Sequence, residues 1–321
     1  MEIKLSEVKE LLGDRFKEDE LLSKHTTFRI GGPAKYFALT QSFQELEKAL
    51  SWAEQNKISH VIIGGGSNIL ASDGGYPGLV INNSSSRIVI NGETIECDAG
   101  VILTKVLNES LVGGLVGLEW ATGIPGTIGG AIRGNAGAYG SDMGKNIIEV
   151  RVLRGNQVVT IPAQDCKFGY RESIFKGQDN KDVILSAKIS LSRGNIDEAR
   201  ERVKKILTER APKFVGFSAG CIFKNVEMSS EEMKEFKDKF PDFPDQYVKY
   251  RKVPAAWVID KCGLKGKEIG RAQVSEKHAG IIINNGGATA ENVIMLVSII
   301  KQKVRDSFGI QLMEEIEYLG F

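Results

Sequence analysis

The run Val61-Ile62-Ile63 reads as a strand and leads straight into Gly64-Gly65-Gly66-Ser67-Asn68. Successive unhindered amides can converge on an anionic oxygen, so a phosphate could be cradled here. A tight turn out of a strand accounts for one glycine but not for three followed by a hydroxyl and an amide. The pattern is neither GxGxxG nor GxxxxGK[ST], which removes the Rossmann and P-loop fingerprints. A second glycine-rich stretch, residues 117–140, carries Thr122, Gly123, Pro125, Gly126, Gly129, Gly130, Asn135 and Gly137. Its small residues leave room for a flat cofactor, and equally for a Gly/Ala packing seam between two domains.

Three further side chains could do chemistry, each with a plainer alternative. Arg171 can fork onto a carboxylate, or pair with its neighbour Glu172 on the surface. Glu315 lies in 310–318, where period-2 alternation puts Ile310, Leu312, Ile316 and Tyr318 on one face and Glu315 on the other, as an acid or as part of a solvated strand face. Cys221 is a thiol that, with a free pKa near ~8.5, is mostly protonated at neutral pH and can donate, or it is a small buried hydrophobe. Cys97, Cys166, Cys221 and Cys262 form no CxxC pair, so zinc chelation and dithiol exchange are not indicated, and reduced thiols with no bound metal are expected.

The elements that must position these groups follow from spacing. Ser42 and Glu45 form a capping box ahead of Leu46, Ala49, Leu50 and Ala53, an amphipathic helix, with extended segments at 35–39, 58–63 and 79–82; together they predict a β-α-β-β unit. From residue 87 the pattern turns to β. Residues 88–90 face 94–97 across Asn91-Gly92, 150–154 face 157–161 across Gly155-Asn156, and the β-branched run 183–191 adds a strand. After a break at 193–195 comes a charged helix, 197–210, expected to bury Val203, Ile206 and Leu207. Ser229 and Glu232 cap another helix with Met233 and Phe236 inward. Thr289 caps a last one, with Val293, Leu296, Val297, Ile300 and Val304 as its buried stripe and Gly309 as its stop. Domain boundaries are expected to give 1–83, 84–195 and 196–321.

Composition sets outer limits. With 321 residues, 42% of them apolar, and 36 glycines, the chain suits a globular protein of two or three domains. A net charge of +1 offers no field for a polyanion, so a small ligand is expected and nucleic acid is not. The first residues are acidic where a signal peptide needs basic ones, and no apolar run approaches the length of a membrane span, so no membrane and a cytoplasmic location are expected.

The two glycine stretches together resemble the flavin-binding half of the UDP-N-acetylenolpyruvoylglucosamine reductase family. Residues 26–34 (Thr26-Thr27-Phe28-Arg29-Ile30-Gly31-Gly32-Pro33-Ala34) are similar to its N-terminal motif, 168–176 to its catalytic arginine segment and 218–225 to its proton-donor loop. Residues 257–266, 269–279 and 309–316 follow its remaining blocks in order, so the resemblance runs from about residue 25 to the C-terminus. It implies an α+β fold: a two-subdomain, PCMH-type flavoprotein-like FAD-binding unit followed by an α+β domain for a UDP-sugar. It further implies non-covalent FAD held by 64–68 and by the residues named in 117–140, NADPH as hydride donor, UDP-N-acetylglucosamine enolpyruvate as substrate, and a monomer.

By the same resemblance Arg171, Cys221 and Glu315 match the catalytic positions, and Asn225, Lys265 and, close by, Lys213 match substrate contacts. His278 is placed near the substrate, with a helix-edge histidine as the alternative, and Tyr247 or Tyr250 over the uridine. The chain departs from the family where Cys221 stands for the usual serine, Glu314 for the usual proline and His25 for the usual asparagine. The spacing from Arg171 to Cys221 leaves little room for the larger subtype's loop, yet residues 226–254 look like that subtype's insertion. Alternatives of other classes are a related flavin oxidase or dehydrogenase using oxygen, and a UDP-sugar or flavin-binding protein without chemistry.

Overall fold

The computed structural model describes residues 5–177, 180–211 and 216–321. Contacts divide the chain into two compact units, one of residues 1–21, 33–67 and 75–211, the other of 22–32, 68–74 and 212–321.

The first unit holds two cores. One lies under a four-stranded sheet ordered Phe16–Leu21, Pro33–Thr40, Tyr76–Asn83, His60–Ile63, antiparallel at the first pairing and parallel at the other two. The helix Phe43–Gln55 covers it, burying Leu46, Ala49, Leu50, Trp52 and Ala53 at the spacing that predicted it. Trp52 stands edge-on to Phe16 and Tyr36, with ring centroids 5.5 and 5.4 Å away. Ser42 Oγ accepts from the Glu45 amide at 3.3 Å, but the Glu45 carboxylate does not complete a capping box. It takes a bidentate pair from Arg15 at 2.6 and 2.8 Å and the Gln41 amide at 2.8 Å. The helix Ser6–Leu12 and the strand Phe16–Leu21, between which the turn Gly13–Arg15 supplies that arginine, have no counterpart in the sequence reading: they are short, and Phe16–Leu21 is buried only at its first and fifth residues.

The second core lies under an antiparallel sheet ordered Gln157–Pro162, Ile147–Arg154, Val183–Ser190, Thr94–Asp98, Ile88–Asn91. Both hairpins form, the second at the expected turn, with Arg154 paired to Gln157 across Gly155-Asn156 and Gly155 at φ 56°. The first turns one residue later than expected, since Asn91 itself pairs with Thr94 across Gly92-Glu93, with Gly92 at φ 61°. Helices Leu103–Val112 and Ile128–Arg133 pack on this core. The charged helix is Ile196–Arg210, with its N-terminus capped by Asn195. It buries Ala199 rather than the expected trio: Val203 and Ile206 are half-buried and Leu207 is 49% exposed. It packs on Leu103–Val112 and on Glu119–Ala121 within the first unit.

The second unit is built on the helix Ala290–Phe308, which has a full Thr289/Asn292 capping box and Gly309 at φ 70°, and which buries the predicted stripe. Around it stand an antiparallel sheet of Glu268–Ile269, Ala272–Val274 and Ile282–Asn284, the helix Ala255–Lys261, and the capped helix Ser230–Lys239 with Met233 and Phe236 buried. Phe236, Phe240, Phe243, Trp257 and Phe308 form one aromatic cluster. In the C-terminal segment Ile310, Leu312 and Ile316 are buried as the alternation predicts, but Tyr318 is 41% exposed. Only Glu317–Leu319 is a strand, paired in parallel with Ile69–Ala71, so the alternation upstream belongs to a different pairing and breaks before Tyr318. No helix among the described residues is long and apolar enough to cross a membrane.

Candidate active site

In the first unit the two glycine stretches meet. A Cβ on Gly64 would lie 2.2 Å from Thr127 Oγ1, and one on Gly65 would lie 3.1 Å from Gly126 Cα. Ser67 Oγ donates to the Pro125 carbonyl at 3.2 Å, and Gly126, at φ 110°, leaves the room that Ser67 occupies. These glycines are required because the loops abut. Gly129 has the same explanation, since its amide donates to the Ala99 carbonyl at 2.8 Å and its Cβ would meet Ala99 at 3.0 Å. The Gly130 amide donates to Thr127 Oγ1 at 3.4 Å and caps the helix Ile128–Arg133.

Packing does not explain Thr122. It is 2% exposed, and its Oγ1 is buried with no hydrogen-bond partner. A buried hydroxyl left unmade costs about 1–3 kcal/mol, so one here, in the glycine-rich stretch that abuts 64–67, fits a bound polar group such as the phosphate or ribityl portion of a flavin nucleotide. Beside it, Gly123 takes φ 70°, and a Cβ there would stand 3.2 Å from Arg210 Nε. The residues present therefore fit FAD.

Arg171 belongs to the same unit. It sits in a tight turn closed by reciprocal bonds between Gly169 and Glu172, at 2.9 and 3.2 Å, with φ 58°. Its Nη2 donates to the Gly137 carbonyl at 2.9 Å. Asn135, 3% exposed and at φ 39°, holds this turn: Nδ2 donates to the Gly169 carbonyl at 2.7 Å and Oδ1 accepts from Gly144 N at 2.9 Å. Its amide thus engages backbone, and Asn135 acts on the arginine turn. Ser173 Oγ ties the next residues to the Arg133 carbonyl at 2.7 Å, and Arg133 donates to the Phe175 carbonyl. Asn135, Tyr139 and Arg171 all have left-handed backbone, each costing of order 1–3 kcal/mol for an ordinary residue, and such strain collects where a side chain must be aimed.

The second unit brings Cys221 and Glu315 onto adjacent paired segments. Residues 221–224 run between two neighbours: Cys221 bridges Ile281 and Ile222 N donates to the Gly280 carbonyl at 2.8 Å on one side. On the other, Phe223 bridges Glu314, Lys224 N donates to Met313 O at 2.9 Å, and Glu315 N donates to Ile222 O at 2.7 Å. Gly220, at φ 76°, turns the chain into this position with open space around it. The loop's start is held by the N-terminal motif, through Thr27 Oγ1 on the Ser218 carbonyl at 2.7 Å and the Arg29 guanidinium 3.7 Å above the Phe217 ring. Buried Asn284 completes the brace by donating to the Phe28 carbonyl at 3.0 Å.

The other expected residues are distributed as follows. Asn68 falls in the second unit, and its amide donates to the Glu315 carbonyl at 3.0 Å. Asn225 Oδ1 accepts from Ala255 N at 3.2 Å, at the start of Ala255–Lys261. Lys265 pairs with Asp260 at 2.7 Å, and the Tyr247 ring rests 5.9 Å from Phe243. His278 is in a turn, not at a helix edge, where Nδ1 accepts from Gly280 N at 3.3 Å. Lys213 lies outside the described residues. Thr27 and Arg29 lie in the N-terminal motif of 26–34, but the partner of Thr27 is 191 residues away, and no local pattern reports such a contact; the partners of Arg210, Asn284, Asn68 and Asn135 are equally invisible in the sequence.

Known proteins place this arrangement. Residues 34–160 match the family model described as FAD binding domain, and 212–319 match the C-terminal domain of UDP-N-acetylenolpyruvoylglucosamine reductase. The UDP-N-acetylenolpyruvoylglucosamine reductase of Caldanaerobacter subterraneus subsp. tengcongensis is 37% identical, over 99% of both chains. That of Solibacter usitatus is 36% identical, over 93% of this chain and 95% of its own. The crystal structure of the Thermus caldophilus UDP-N-acetylenolpyruvylglucosamine reductase superposes with a TM-score of 0.75 at 28% identity, covering 94% of this chain and 98% of that one. With this kinship spanning both units, the chain belongs to the UDP-N-acetylenolpyruvoylglucosamine reductase family.

Proposed function

We propose that the protein reduces UDP-N-acetylglucosamine enolpyruvate to UDP-N-acetylmuramate at the expense of NADPH, a cytoplasmic step in making peptidoglycan precursors and so one on which cell shape and division draw. The observation that carries this reading is the 37% identity to a reductase over 99% of both chains. Bound without a covalent link, FAD would supply the hydride chemistry, relaying reducing equivalents from NADPH to the enolpyruvyl double bond. The groups proposed to hold FAD are those of 64–67 and 122–130, with the Thr122 hydroxyl and the Gly123 amide as donors. The expected modules 1–83 and 84–195 are proposed to serve FAD and 196–321 the sugar, except that 22–32 and 68–74 fold with the second unit and 196–211 with the first.

The remaining chemistry falls to three side chains. As hydride arrives, charge grows on the substrate carboxylate, and the Arg171 guanidinium, already aimed by its turn, meets it. The Cys221 thiol gives the proton to the neighbouring carbon; a thiol is a far stronger acid than the serine hydroxyl usual at this position. Glu315 hydrogen-bonds the enol form of the substrate. Asn225, Lys265, Tyr247, His278 and Lys213 are proposed to contact the sugar nucleotide.

The test is product analysis. NADPH oxidation matched one-to-one by a UDP-sugar two hydrogens heavier is expected, and Arg171→Ala should lower kcat roughly 10²- to 10³-fold. NADPH oxidation at an unchanged rate without the sugar, with oxygen as acceptor, would overturn the assignment.

A further inference from the structure

We infer that Asn68, the last residue of the glycine-rich turn, is a positioning residue for Glu315; this rests on the role proposed for Glu315. The segment 313–319 changes partner at Glu315. Upstream it pairs antiparallel with 222–224, through Lys224 N on Met313 O and Glu315 N on Ile222 O. Downstream, Glu317–Leu319 pairs in parallel with Ile69–Ala71. A segment leaving one pairing for another has backbone groups that neither ladder serves, and they must be met otherwise.

Asn68 stands at that junction. Its main-chain carbonyl takes the first bond of the parallel ladder, from Glu317 N at 2.8 Å, while its side-chain Nδ2 meets the carbonyl between the two pairings, donating to Glu315 O at 3.0 Å. The Glu315 peptide is therefore held from both ends, its N–H by the residue after Cys221 and its C=O by Asn68. Those two bonds fix where the Cα–Cβ bond of Glu315 points, and hence where its carboxyl lies relative to the Cys221 segment. A position that looks like part of a phosphate-cradling turn thus has its amide turned to the acid segment.

The experiment measures the two half-reactions separately, anaerobically, on holoenzyme carrying Asn68→Asp or Asn68→Ser. Aspartate keeps the shape but sets an acceptor against the Glu315 carbonyl, and serine is too short to reach it. An ångström-scale displacement of a reacting group can cost on the order of 10²-fold. Flavin reoxidation by the enolpyruvyl sugar should slow about 10- to 100-fold, while FAD content and flavin reduction by NADPH stay within about twofold of wild type. If either variant lacks FAD, or if reduction by NADPH slows as much as reoxidation, Asn68 serves the cofactor and the inference is wrong. It is also wrong if both half-reactions keep wild-type rates. Glu315→Gln is run alongside: unchanged reoxidation in that variant removes the role of Glu315 itself, a separate failure.

Discussion

Replacing Asn135 by alanine isolates the scaffold that aims Arg171. The side chain is 3% exposed and makes two bonds to backbone, Nδ2 to Gly169 O at 2.7 Å and Oδ1 from Gly144 N at 2.9 Å. Alanine leaves both groups unmet, at about 1–3 kcal/mol each, and must itself hold φ 39°, which asparagine tolerates better, for roughly another 1 kcal/mol. The expected loss is about 3–7 kcal/mol, or a fall in Tm of roughly 5–10 °C for a chain of this size. Asn135→Asp keeps the acceptor for Gly144 N and the backbone tolerance but sets a buried carboxylate oxygen against the Gly169 carbonyl, so it should lose at least the roughly 1–3 kcal/mol of the missing donor. Because Gly169 opens the turn that carries Arg171, both variants should also lower kcat for the sugar more than they lower flavin reduction by NADPH. Thermal unfolding followed by flavin fluorescence, with steady-state rates at a temperature where each variant is folded, reads both effects. A Tm for Asn135→Ala within 1 °C of wild type would refute the bonding scheme; a lowered Tm with unchanged kcat would refute the link to Arg171.

Further outcomes follow from the same geometry. Cys221→Ala should slow reduction of the sugar about 10²- to 10⁴-fold and Cys221→Ser less, with flavin reduction by NADPH near wild type in both; an alanine variant as active as wild type would remove the thiol from the reaction. Glu45 has its pKa lowered chiefly by its hydrogen bond from Arg15, so the pair's stabilisation is present above the free carboxylate value, about 4.3, and is lost as pH falls through the lower folded value. Arg15→Leu should therefore cost about 0.5–1 kcal/mol at pH 7 and progressively less in acid, read as the gap in Tm between variant and wild type; a constant gap from pH 7 to pH 3 would contradict it. Burial pushes Cys97 up to about 12 and Cys166 up to about 11. Brief alkylation at pH 8 should leave both intact and modify half-buried Cys221 and Cys262 first, as peptide mapping would show; equal labelling of all four would contradict the burial.

What the sequence disclosed tracks the range of the interaction. The hairpins at Gly92 and Gly155, the Ser229 and Thr289 caps and the stripe Val293 to Val304 are set by residues within a turn or two of each other, and all are present. Strand Phe16–Leu21 was invisible because an edge strand with four exposed residues carries no alternation, and the Glu45 carboxylate was misassigned because its partner, Arg15, comes from that unseen part of the chain. The charged helix reads as burying its larger apolar residues, but its fully buried residue is small Ala199, with Ile196 and Val203 packed partly against the same core and Leu207 outside. At the site, residue types were legible and their partners were not. Asn68 and Asn135 stand in glycine-rich stretches and read as cofactor contacts; the bonds their amides make, to backbone 247 and 34 residues away, leave no signal in those stretches.

The central claim is that this chain holds FAD and passes reducing equivalents to an enolpyruvyl UDP-sugar, and an anaerobic absorption record tests it most directly. The purified protein should be yellow, its flavin band should bleach on one equivalent of NADPH, and the band should return on one equivalent of UDP-N-acetylglucosamine enolpyruvate. A colourless protein that takes up no added FAD, or a bleached band that the sugar fails to restore, would contradict it.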